Sequence, residues 1–135
     1  MNINALKQYK NVDLNVAVEN ATPHELVSMM FKGALEALAK AKGAIERNDI
    51  QLRTQQINKT TEIIVNLKGT LNFEQGGEIA ENLDALYDYM IRTLMQANRE
   101  NSGEKVAEVA ELASEIFQGW AGIPPEEHHK SSFVE

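Results

Sequence analysis

The chain is 135 residues long, enough for one domain around a single core, and its 13 Lys and Arg against 20 Asp and Glu leave a formal charge of −7. That acidity, broken by no basic cluster, repels a nucleic-acid backbone, and the lack of cysteine removes disulfides, thiol catalysis, zinc–thiolate sites and iron–sulfur clusters. No basic segment followed by an apolar run opens the chain, and no apolar run reaches the length of a bilayer span, so a cytosolic protein without membrane insertion is expected.

Residues 1–21 carry Leu6, Tyr9, Val12, Leu14, Val16 and Val18 without a sustained helical period. The alternation from Val12 to Val18 suits a strand, but a lone strand in a helical chain has nothing to pair with. An N-terminal arm docked on the body is predicted there, with room for a short extra helix in which Leu6 and Tyr9 share a face.

Thr22-Pro23-His24-Glu25 is a helix start: Thr22 caps the first turn, Pro23 needs no amide partner at the first helical position, and Glu25 completes a capping box. From there to about Glu46, Leu26, Val27, Met30, Ala34, Ala37, Leu38, Ala41, Ala44 and Ile45 form a wide apolar stripe, with Phe31 and Leu35 at its edge. Asn48-Asp49 breaks and recaps the chain for a second helix, about Ile50 to Leu71, striped by Ile50, Ile57, Thr60, Ile63, Ile64, Leu67 and Leu71, with Val65 off the face. Asn72 to Gly77 reads as a turn whose glycines take positive φ. Gly76-Gly77 then launches a third helix to about Asn98, with Ile79, Leu83, Leu86, Tyr87, Met90, Leu94 and Ala97 as its stripe and Ile91 and Met95 outside it. Ser102 caps a fourth, about Glu104 to Trp120, facing inward with Val106, Val109, Ala110, Ala113, Ile116, Phe117 and Trp120, while Leu112 sits off the face. Gly122 and Pro124-Pro125 end it.

A lone amphipathic helix is marginal in water, so four of them joined by short turns must bury their stripes together. The expected fold is all-α, an antiparallel up-down four-helix bundle over residues 22–121, with the arm before it and a disordered tail over 122–135.

Catalytic chemistry finds no support. Di-iron bundles use Glu-x-x-His pairs, which are absent, and the three histidines are His24 at a helix start and His128-His129 in the tail, read as ordinary surface residues. A phosphotransfer histidine belongs in mid-helix, and Gly76-Gly77 makes a poor phosphate cradle because Glu74 and Glu78 flank it and no Lys follows. What stands out is surplus hydrophobicity: Phe31, Leu35, Val65, Ile91, Met95 and Leu112 exceed what four stripes require, and the arm adds Leu6 and Tyr9, which together suggest grooves for a partner helix.

ATPHELVSMMFKGALEALAKAKGAIERND, INKTTEIIVNLKGTLNFEQGG and GGEIAENLDALYDYMIRTLMQAN, followed by a helix ending in Trp120, resemble in order and spacing the FliS family of flagellar secretion chaperones. The resemblance covers about residues 6–120. It implies a helical bundle that is not an enzyme, needs no ATP or other cofactor, and binds the C-terminal segment of flagellin, with an export-gate component and flagellar regulators as further partners. It also implies that Tyr9, with Leu6 three residues before it, is a lid over an apolar pocket of the bundle. Beside that reading stands a generic helical adaptor or regulator that binds an amphipathic helix of some other protein.

Overall fold

The computed structural model describes residues 20–122. The expectations for Leu6, Tyr9 and the rest of the arm, and for the tail, therefore lie outside the described residues. Within them the chain forms α1 (Pro23–Glu46), α2 (Ile50–Gly69), α3 (Phe73–Glu100) and α4 (Gly103–Ala121). Each helix opens on a capping side chain that accepts from the amide three residues on: Thr22 from Glu25, Asp49 from Leu52, Asn72 from Gln75 and Ser102 from Lys105. Two of the turns reverse through an asparagine in the left-handed region, Asn48 at φ 57° and Asn101 at φ 53°.

Neighbouring helices run antiparallel, as their cross-links show. His24 meets Trp120 and Phe31 meets Phe117 between α1 and α4; Thr54 meets Asn98 and Lys68 meets Asp84 and Asp88 between α2 and α3. Between α3 and α4, Tyr89 donates to Glu108 and Lys105 reaches Gln96. In each pair of helices, as one number rises the other falls. Packing closes a ring in which α1 lies against α2 and α4, and α3 against the same two. The expected up-down bundle is the observed one. Small residues set its tightest seam: Ala34, Ala37, Ala41 and Ala44 along α1 are all buried, and alanine lets a neighbouring backbone come close at almost no side-chain entropy cost.

Four expected stripe or edge positions differ, Leu86 of α3 at 36 % exposure among them. Phe31, placed at a stripe edge, is 2 % exposed and packs inside against Phe117, because α4 lies over that side of α1. Ile50 is 63 % exposed: it is the first residue of α2, beyond the reach of the facing helices. Ile79 is 58 % exposed although it lies in the same angular sector of α3 as Ala97, which is fully buried. The start of α3 also differs. Asn72 already caps a helical turn from Phe73, and Gly77, at φ 51° and ψ −127°, bends the chain into the long helix. That backbone conformation is open essentially to glycine alone, so the glycine pair is a hinge inside α3 rather than the turn ahead of it.

Candidate functional site

Near the start of α1 and the end of α4 the bundle is pinned by a reciprocal lock. The His24 and Trp120 rings stack with centroids 4.4 Å apart and planes 11° from parallel. His24 Nε2 donates to the Trp120 carbonyl at 3.0 Å, which places the ring proton on Nε2, and Trp120 Nε1 donates to the His24 carbonyl at 3.1 Å. The stack contributes about 0.5–1.5 kcal/mol and each hydrogen bond a similar amount. His24 is thus buried and structural, not the solvated helix-start residue expected, and its signal in the sequence was the tryptophan one bundle length away.

Above this lock the helices part. A pocket of about 300 Å³ is lined by Val27 and Phe31 of α1, Ile79, Leu83 and Tyr87 of α3, and Ile116 and Trp120 of α4, with Thr70, Glu115 and Gly119 completing it. Its volume sits at the low end for ligand sites, which suits one or two side chains rather than a whole segment. The opening follows from how α3 is presented. At about 100° per residue, Ile79, Leu83 and Leu86 fall within one narrow sector of α3 that turns toward α4. Toward the C-terminal end of α3 that sector is filled by Met90 and Ala97, both buried; toward its start Ile79 is exposed and Leu86 is 36 % exposed. The seam between α3 and α4 is therefore shut at one end and open at the other.

The electrostatics of the site are one-sided. Glu115 lines the pocket, and the buried Tyr87 phenol is pushed up by desolvation alone. Just beyond, Tyr89 donates to Glu108 across the seam, and that hydrogen bond pushes the Tyr89 phenol up. On the far side of α3, Lys68 of α2 holds Asp88 at 2.6 Å and Asp84 at 3.0 Å, which raise its ammonium.

Among the described residues named from sequence as groove walls, Phe31 alone lines the pocket. Leu35, Ile91 and Leu112 are half-buried against the core, and Val65 and Met95 are exposed on α2 and α3. The register set by Lys68 with Asp84 and Asp88, and by Thr54 with Asn98, puts Val65, Ile91 and Met95 along the seam of α2 and α3, away from the pocket. Ile79, Leu83, Tyr87, Ile116 and Trp120 were read as core, since a stripe gives the direction a side chain faces and not the distance to its neighbour.

Among the described residues no group of His, Asp and Glu is placed to hold a metal ion, and no helix is long and apolar enough to cross a membrane. An antiparallel bundle with an apolar pocket open at one end has the form of a binding module, one that offers a surface for another chain. The family model described as "Flagellar protein FliS" matches residues 5–127. The chain is 44 % identical over 131 residues to the "Flagellar secretion chaperone FliS" of Salmonella typhimurium, covering 96 % of this chain and 94 % of that one. It is 44 % identical to "Flagellar secretion chaperone FliSB" of Pseudomonas aeruginosa (88 % and 94 % covered) and 38 % identical to the Vibrio cholerae FliS (93 % and 92 % covered). The chain belongs to the FliS family of flagellar secretion chaperones. Its relatives are named as chaperones, not as enzymes.

Proposed function

We propose that this chain is a cytosolic, ATP-independent export chaperone that holds the C-terminal segment of flagellin, keeps it from polymerising early and delivers it to the flagellar export apparatus. The observation that carries this reading is the open seam of α3 and α4, where Ile79 and Leu86 stay exposed beside an apolar pocket in a protein of this family. Leaving large apolar side chains in water forfeits about 25 cal/mol for each Å² not buried, a loss that a binding partner recovers. A segment that is unstructured when free and wraps the bundle buries on the order of 1,000–3,000 Å², of which the pocket supplies one anchor point.

Val65, Ile91 and Met95 on the other side of α3 would extend the contact along the seam with α2, and Leu35 and Leu112 would flank it. Leu6 and Tyr9 are the displaceable lid in this reading. A lid that is closed part of the time lowers the apparent affinity by the open fraction, so its loss should tighten binding. The test is co-purification with flagellin and with flagellin lacking its C-terminal segment. Binding to the first alone is the expected result, and equal binding to both rejects the reading.

A further inference from the structure

Tyr87 is 3 % exposed, yet no described residue accepts or donates a hydrogen bond at its hydroxyl. Burial is the one cause acting on its phenol, with no hydrogen bond or charge beside it. Tyr87 lines the pocket, and the residue as a whole is packed in the core. Tyr87 thus sets a hydroxyl without a described protein partner into an otherwise apolar wall, where Phe, as at Phe31 and Phe117, would ask for none.

The lips of the same pocket are acidic. From Phe73 to Ile91, α3 carries five carboxylates and no Lys or Arg; from Val106 to Gly122, α4 carries three and none. Glu115, which lines the pocket, follows Glu108 by two turns on the side of α4 that meets Tyr89, and Glu78 precedes Tyr89 by about three turns on the matching side of α3. No Lys or Arg is among the described residues that line the pocket, and Lys68 of α2 is engaged by Asp84 and Asp88.

We infer that Tyr87 is the polar anchor of the pocket: its hydroxyl hydrogen-bonds the backbone of a client segment whose apolar side chain fills the cavity and whose flanks carry Lys or Arg that meet Glu78 and Glu115. The inference rests on the flagellin reading and adds the chemistry by which the segment is chosen. The apolar cavity selects a large side chain, the hydroxyl fixes its depth, and the carboxylates reject acidic flanks.

The experiment measures flagellin affinity by calorimetry for the full chain, for Tyr87→Phe and for the double variant Glu78→Gln with Glu115→Gln, at low and high salt, with a melting temperature for each. Tyr87→Phe should weaken binding about three- to tenfold while its melting temperature stays equal or rises, since it removes one hydrogen bond of the complex and none of the free fold. The double variant should bind more weakly at low salt and show a flatter salt dependence than the wild type. Unchanged affinity in Tyr87→Phe overturns the inference. So does tighter binding, which would give the hydroxyl to the chain's own arm, and so does a fall in melting temperature, which would make the hydroxyl a partner in the fold. A wild type that binds flagellin while Tyr87→Phe binds equally well leaves the flagellin reading standing; a wild type that binds no flagellin removes both.

Discussion

The two ends of this bundle are made from the same four helices and differ in what they do with hydrophobic surface. At the end where α3 passes into α4, Ala41 and Ala44 of α1, Leu94 and Ala97 of α3 and Val106 of α4 are all buried to within 1 %. Polar side chains there tie the turns together: Arg53 donates to Asn98 at 2.9 Å and to Asn101 at 2.8 Å, and Lys105 spans to Glu100 at 2.9 Å. At the other end Ile79, Leu86 and Phe73 are exposed, a cavity stays open, and α1 and α4 are held by the His24–Trp120 lock. One end closes over its apolar surface and the other leaves part of it open, with the His24–Trp120 lock tying α1 to α4 there.

If that division is right, the largest stability loss belongs to the closed end. Leu94→Ala should cost about 2–5 kcal/mol in urea unfolding, because the cavity it leaves is walled by packed helices that collapse only in part. Flagellin affinity of the fraction that remains folded should be unchanged. A loss of affinity matching the loss of stability would mean that the two ends are not separable.

The lock should rank second. Trp120→Phe keeps an aromatic ring but removes the Nε1 donor, leaves the His24 carbonyl short of a partner and weakens the stack. A loss of about 1–3 kcal/mol is expected, read by circular dichroism since the chain has no other tryptophan to report. In the wild type the same residue gives a direct signal. As a pocket wall that is already buried, Trp120 should change its fluorescence intensity more than its emission wavelength when flagellin fills the pocket, and an unchanged intensity would place the client elsewhere.

Ile79→Ser divides the two ends most sharply. As a core residue it would cost several kcal/mol; at 58 % exposure it should change stability by no more than about 0.5 kcal/mol while weakening flagellin binding severalfold. Large destabilisation would return Ile79 to the core and close the pocket.

Element by element, the sequence was most telling where one local interaction decides the outcome. Thr22, Asp49 and Ser102 are caps by residue type and cap in fact, and Asn48 breaks the chain as expected because asparagine tolerates positive φ. The helix order and the ring of neighbours followed from stripes and short turns. Legibility ended where geometry between helices begins. Ile79 and Ala97 occupy one sector of one helix, so no periodicity separates them; what does is whether a neighbouring helix covers that turn, a property of the bundle. His24 was misjudged for the same reason, since its partner stands 96 residues away. Most walls of the pocket are ordinary stripe residues that periodicity cannot set apart, and of the surplus residues Phe31 lines it while Val65, Ile91 and Met95 mark the seam of α2 and α3.

The smallest expected effect concerns the link between α2 and α3, which belongs to neither end. The hydrogen bonds that Lys68 donates to Asp88 and then to Asp84 raise its ammonium above its usual 10.5, and burial pushes Tyr87 up from 10.0. Both groups keep their protons longer folded than unfolded, so both contributions are fully present below pH 10 and decline as pH rises through the range where the unfolded chain has already lost them. The unfolding free energy should therefore be flat from neutral pH to about 10 and fall above it, with the Lys68 share near 0.2–1 kcal/mol because a part-exposed pair is screened. Tyr87→Phe should remove most of the alkaline decline and Lys68→Met the lesser part. If Lys68→Met removed the larger, the buried phenol of the pocket would not be the group that burial has shifted.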